Sequence, residues 1–187
     1  MATVVTREAY FRAGMEILAD LGYGGLKLAE VCGRLGVTTG SFYHYFSNWG
    51  EYTHELVEHW LTGLAQDRVD VLVGETDPHR RIDLMIDIGL ALPHDAYAAV
   101  RSWASVDPRV RAVIVTLDQI RHDMIYASTL EILGDERQAD VFAKWAVYLL
   151  VGYEQCTLPR DRTAFTWMIK QQFRRALEPG QMDTVPD

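Results

Sequence analysis

From Leu28 to Phe46 the chain reads LAEVCGRLGVTTGSFYHYF, and this stretch constrains the fold more than any other. Leu28, Val31 and Leu35 fall on one side of a short helix from about Lys27 to Leu35. Gly36 stops that helix where the chain must turn left-handed, a conformation open to glycine at little steric cost. Thr38 then caps a second short helix that should run to Tyr45. Within it Phe42 and Phe46, four apart, point to a core with Val37. Thr39 and Tyr43 share another face, and Gly40 and His44 a third. Upstream, Tyr10, Ala13, Ile17, Leu18 and Leu21 recur at helical spacing after Thr6, a candidate N-cap, and Gly22-Tyr23-Gly24-Gly25 ends that helix. Three helices, the last two joined by a tight turn, make a helix-turn-helix unit, whose second helix can enter the DNA major groove.

The rest is helical as well. A long helix begins at Ser47-Asn48 and reaches about Val73, with Tyr52, Leu56, Trp60 and Leu64 on its apolar side. Further helices are expected over 80–92, 95–106, from Asp107-Pro108 to Leu133, on to about Cys156, and over 161–177. Strand-like alternation is scarce. The expected fold is all-α: an N-terminal three-helix helix-turn-helix DNA-binding domain over residues 1–47, then a C-terminal helical ligand-binding and dimerisation domain over 48–187. With 187 residues, 49% of them hydrophobic, the chain can enclose a sizeable core.

A net charge of −8 argues against generic nucleic-acid binding. Its distribution qualifies that: Arg7, Arg12, Lys27 and Arg34 balance Glu8, Glu16, Asp20 and Glu30 before residue 50, and the acidic excess lies beyond. Cys32 and Cys156 form no CxxC pair and read as buried thiols in a reducing compartment. The longest apolar run, Trp145 to Tyr153, is about half a membrane span. No membrane association is expected, and the location expected is cytoplasmic.

The N-terminal third resembles the TetR family of bacterial transcriptional regulators. The resemblance rests on the ordered series from Ala13 to Phe46: helix, Gly22-Tyr23, helix, Gly36-Val37-Thr38-Thr39-Gly40-Ser41, and the closing Phe42-Tyr43-His44-Tyr45-Phe46. Arg101-Ser102-Trp103-Ala104, Asp107-Pro108, Asp118, Arg121 and Tyr153 resemble a regulatory-domain type of the same family. Two positions depart from the family's habit. Trp49 stands where a phosphate-contacting lysine is usual, and Leu26-Lys27 where two hydroxyl residues are. The DNA contacts expected are Lys27, Thr38, Thr39, Gly40, Ser41, Tyr43, His44 and Tyr45. Hydroxyls and helix N-terminal amides suit phosphate oxygens, Thr39 and His44 can reach base edges, and Gly40 allows close backbone approach.

A ligand region is expected around Trp60, Tyr97, Trp103, Asp118, His122 and Tyr126, an apolar set with a few polar groups. Asp118 and Arg121, three apart, read first as a local ion pair. Surplus apolar stripes mark a four-helix dimer interface, which the resemblance also implies: Phe142, Trp145, Leu149 and Tyr153, then Phe165, Met168, Ile169 and Phe173. Catalytic, metal-ligating and cofactor residues are expected to be none. His54 and His59 are five apart, HExxH spacing is missing, and no glycine-rich phosphate loop follows a strand. The partners expected are double-stranded DNA, a second copy of the chain and a small-molecule effector. The alternative is a helical small-molecule-binding protein of the same descent with weakened or lost DNA binding.

Overall fold

The computed structural model describes residues 5–186; for 61–71 and Val73 the description is of the backbone only. All regular structure among the described residues is helical. In order it comprises α1 (Arg7–Leu21), a single 3-10 turn (Tyr23–Gly25), α2 (Leu28–Leu35), α3 (Thr39–Phe42), α4 (Trp49–Val73), α5 (Pro78–Leu90), α6 (His94–Ala104), α7 (Pro108–Leu133), α8 (Glu136–Gln155) and α9 (Arg162–Ala176).

Capping side chains set most of the starts. Thr6 Oγ1 accepts from the Ala9 amide at 3.3 Å and Thr38 Oγ1 from the Ser41 amide at 3.3 Å. Asp107 Oδ1 accepts from Arg109 N at 2.9 Å, ahead of Pro108 in the first turn of α7. Ser47, Asn48 and Glu51 bond to one another at the start of α4. Asn48 Oδ1 accepts from Glu51 N at 2.9 Å, and Glu51 Oε2 accepts from Ser47 N at 2.8 Å. The Ser47 side chain, and then that amide, hold the Glu51 carboxyl below the usual carboxylate range. The end of α2 follows the Schellman pattern: Gly36 has φ +66°, and Val37 N donates back to Cys32 O at 3.0 Å.

Two expectations about elements change. The recognition helix α3 closes at Phe42 rather than Tyr45; residues 43–45 continue as turns. The fifth helix begins at Pro78 rather than Arg80, because Asp77 caps it by accepting from His79 N at 2.9 Å.

The chain packs as two compact units, Met1–Ala65 with Pro93–Val115, and Gln66–Leu92 with Thr116–Asp187. Both α4 and α7 contribute residues to each unit. In the first, α1 packs on α6 and α2. Its centre is a cluster of rings: Tyr10, Phe42, Phe46 and Tyr52 are enclosed, with Phe46 and Tyr52 centroids 5.0 Å apart and edge to face. Cys32 is buried here, and burial pushes its thiol pKa up.

The second unit has its own core of Ile82, Ile86 and Leu90 from α5, Phe142 and Ala146 from α8, and Ile169 and Phe173 from α9. Ion pairs fasten its helices from outside: Arg174 to Asp83 at 3.1 Å, Lys170 to Asp87 at 2.5 Å and Arg81 to Glu131 at 2.6 Å. Cys156 is exposed, contrary to the buried thiol expected. The cause is local: α8 ends at Gln155, so Cys156 leaves the helical stripe that would have carried it inward.

Candidate nucleic-acid interface

The outward face around α3 is built from within. Phe42 and Phe46 are both enclosed, and Tyr10 meets each ring edge-on, at 5.7 and 5.6 Å. This anchors the inner side of the turn and leaves Thr38, Thr39, Gly40, Tyr43 and His44 exposed together. Tyr43 stands edge-on to Phe42 at 5.4 Å, so its ring rests against the core while about half of the residue stays exposed.

Ser41 and Tyr45 are placed differently. Ser41 is half-buried and its Oγ accepts from the Tyr10 hydroxyl at 3.2 Å. Burial raises the Tyr10 phenol pKa, so the phenol stays protonated as the donor. Tyr45 lays its ring against Tyr10 at 5.3 Å and donates its hydroxyl to the Val5 carbonyl. Both residues thus brace the reading face from its side.

Lys27 is exposed at the N-cap of α2 and makes no side-chain cap bond there. Arg34 is engaged, with Asp20 at 2.7 Å and Glu30 at 3.9 Å. Trp49 is half-buried, 6.0 Å from the Phe42 ring and 5.0 Å from Tyr52. Where a lysine would project a charge, this indole extends the aromatic core.

The six residues expected around a ligand divide between the units, three in each. Trp60 packs edge-on to Tyr97 at 4.4 Å, and Trp103 stacks on Tyr23 at 5.0 Å. Trp103 also lines a cleft of about 300 Å³ with Thr53, His54, Val57 and Asp107. Asp118 pairs with Arg121 at 3.6 Å, the local ion pair anticipated from their spacing. His122 lies between two carboxylates, 3.1 Å from Asp123 and 3.1 Å from Asp140, and stacks on Tyr126. The second unit holds a smaller apolar cavity of about 80 Å³ among Ile86, Leu90, Ile125, Phe142 and Phe165. Sequence reading missed this cavity because its walls look like ordinary core.

The residues expected at a dimer interface have neighbours within the single chain. Phe142, Ile169 and Phe173 are enclosed within the single chain, and Trp145, Leu149 and Phe165 pack against them. Tyr153 is half-buried against Phe165, with ring centroids 4.0 Å apart. Residues of α5 and α7 pack against this stripe within the chain. Of the set, Met168 is exposed; Tyr148 of α8 (68% exposed) and Trp167 of α9 (66%) are exposed as well.

Comparison with known proteins agrees with this geometry. Residues 11–49 match the family described as bacterial regulatory proteins, tetR family. Transcriptional regulator AcuR of Cereibacter sphaeroides is 34% identical over 62 residues, which are 33% of this chain and 28% of that protein's length. A TetR transcription regulator from Haloarcula marismortui superposes with a TM-score of 0.76 at 18% identity, covering 92% of this chain and 96% of that one. AibR, solved in complex with isovaleryl coenzyme A and operator DNA, superposes with a TM-score of 0.69 at 11% identity over 89% of this chain and 96% of its own. The family is one of DNA-binding regulators rather than enzymes. With its Schellman turn, its capped recognition helix and the match over 11–49, the N-terminal segment is a TetR-family helix-turn-helix domain, set in a chain with the fold of TetR regulators.

Proposed function

We propose that this chain is a cytoplasmic, ligand-responsive transcriptional repressor that binds an inverted-repeat operator as a homodimer. The observation carrying it is the outward set Thr38, Thr39, Gly40, Tyr43 and His44, exposed together over an enclosed aromatic core, with Thr38 capping α3 and Tyr43 edge-on to Phe42. Two such heads related by a two-fold axis would enter successive major grooves roughly 34–36 Å apart. Tyr148, Trp167 and Met168 supply the exposed apolar surface that the second copy would cover. AibR was solved with both an acyl-coenzyme A and operator DNA, which supports a small-molecule effector here too. Such an effector must bind the DNA-competent and released conformations unequally, with coupling of about 1–3 kcal/mol.

The test is selection of bound duplexes from a random pool. Enrichment of an inverted repeat supports the proposal, and no enrichment even at low salt sinks it. The second reading, a ligand-binding protein with lost DNA recognition, draws on the net-neutral head and on Trp49. Ligand-induced thermal shifts without any duplex enrichment would favour it.

A further inference from the structure

In the first turn of α1 the Arg7 guanidinium reaches two elements at once. Its Nη1 donates to the Tyr45 carbonyl, just past α3, at 2.9 Å. Its Nε donates to Glu55 Oε2 of α4 at 3.0 Å, and Nη2 pairs with the same carboxylate. The cation lies over the Phe46 ring, 4.6 Å from the centroid. Tyr45 is held at its other end as well, where its hydroxyl donates to Val5 O. The segment between α3 and α4 is thus fixed through α1. A planar fork with separated donors can serve two acceptors in this way; the point charge of a lysine cannot hold both in the same geometry. Glu51, one turn before Glu55, also lies in the field of Arg7.

We propose that Arg7 is a positioning residue that couples α4 to the reading face. Glu55 sets the guanidinium, the guanidinium sets the Tyr45 carbonyl, and the orientation of α3 follows. A displacement of Glu55 along α4 would therefore reach the DNA-facing residues without passing through the apolar core. The inference rests on the DNA-binding reading, and it differs from a phosphate contact by Arg7, since the guanidinium is committed to protein acceptors.

Three variants test it: Glu55→Ala, Arg7→Lys, and the exchange Arg7→Glu/Glu55→Arg. Each is measured on a selected duplex, on a scrambled duplex and by thermal unfolding. Glu55→Ala removes a negative charge, so simple electrostatics predicts tighter DNA binding. Positioning predicts the reverse, a loss of roughly tenfold on the selected duplex, the scale of one charge-assisted hydrogen bond. Arg7→Lys keeps the charge, so the salt slope should hold while selectivity falls. The exchange restores the ion pair and part of the thermal stability, yet a glutamate at position 7 has no donor for the Tyr45 carbonyl, so selected-duplex affinity stays low. Amide exchange in the free protein, read on peptides spanning residues 42–46, should accelerate in all three.

Glu55→Ala binding as tightly as wild type, or affinity returning with stability in the exchange, would overturn the proposal. So would unchanged affinity and selectivity in Arg7→Lys, because a retained point charge is enough for a phosphate contact but not for the two-acceptor fork. If wild type selects no duplex, the DNA-binding reading fails. The amide-exchange arm still decides the coupling: unchanged exchange refutes it.

Discussion

Gly14 of α1 lies against α4 so closely that a single methyl group tests the packing. A Cβ built there would sit 2.3 Å from the Tyr52 hydroxyl and 2.8 Å from Leu56 Cδ2. Both neighbours are fully enclosed, and the hydroxyl donates to the Tyr10 carbonyl at 2.9 Å. Burial pushes the Tyr52 phenol pKa well above the ordinary tyrosine value, so it remains a donor across the working pH range. Gly14→Ala gains about 1 kcal/mol from helix propensity. Against this, overpacking costs about 1–3 kcal/mol and the displaced hydroxyl bond about 1 kcal/mol. The expected net is a loss of about 2 kcal/mol, lowering Tm by roughly 4–8 °C in a chain of this size. Circular dichroism melts of Gly14→Ala, Tyr52→Phe and the double variant check it. Removing the hydroxyl clears the nearest obstacle, so the double variant should lose less than the sum, by about 1 kcal/mol. A Gly14→Ala protein melting at or above wild type would refute the argument that the α1–α4 contact is close-packed here.

Gly40→Ala isolates the DNA face, because its new Cβ would meet only Thr38 Oγ1, at an ordinary 3.6 Å. The variant should melt like wild type or slightly higher while losing about tenfold or more in affinity for a selected duplex by fluorescence anisotropy, if DNA backbone approaches that closely. Phe142→Ala should destabilise by about 3–5 kcal/mol in urea unfolding, since its ring is enclosed. By contrast Trp167→Glu should leave the fold intact and shift sedimentation toward the monomer. Asp140 is held below the usual carboxylate range, first by Lys144 at 2.7 Å and then by His122. Its stabilisation is therefore complete above the unfolded carboxylate pKa and lost as pH falls through the lower folded value. Asp140→Asn should flatten stability against pH on that acid limb and leave the alkaline side unchanged.

Much of the reading head was legible before any coordinates. Thr6, Thr38, Asp107 and Gly36 act as caps and stops because capping chemistry is local: the donor lies two or three residues from the acceptor. The helix-turn-helix followed from those stops and from Phe42 and Phe46, whose spacing required a common inner side. What sequence could not show was set by partners far along the chain. The end of α3 at Phe42 accompanies the Arg7 bond to Tyr45, a contact spanning 38 residues. The periodicity of Phe142, Ile169 and Phe173 correctly implied burial, but periodicity does not say whether the covering surface is the same chain or another. Here α5 covers it, and the exposed Trp167 and Tyr148 carried no periodic signal that would separate them from core residues. Trp103 was singled out as a large apolar residue; its stacking on Tyr23 depends on a separation of 80 positions that no spacing rule reaches.

Trp49 carries a kinetic consequence. By burying an indole against Phe42 and Tyr52 where a cation would otherwise reach out, the head trades long-range attraction for rigidity. Electrostatic steering accelerates encounter and retains a protein on arbitrary DNA between targets. If the head binds DNA as proposed, with Arg34 already paired and no lysine at the entrance of α4 it would spend less time on such sites and find a specific target more slowly. Once docked, its residence time would depend on surface fit, so occupancy would be governed by dissociation far more than by search.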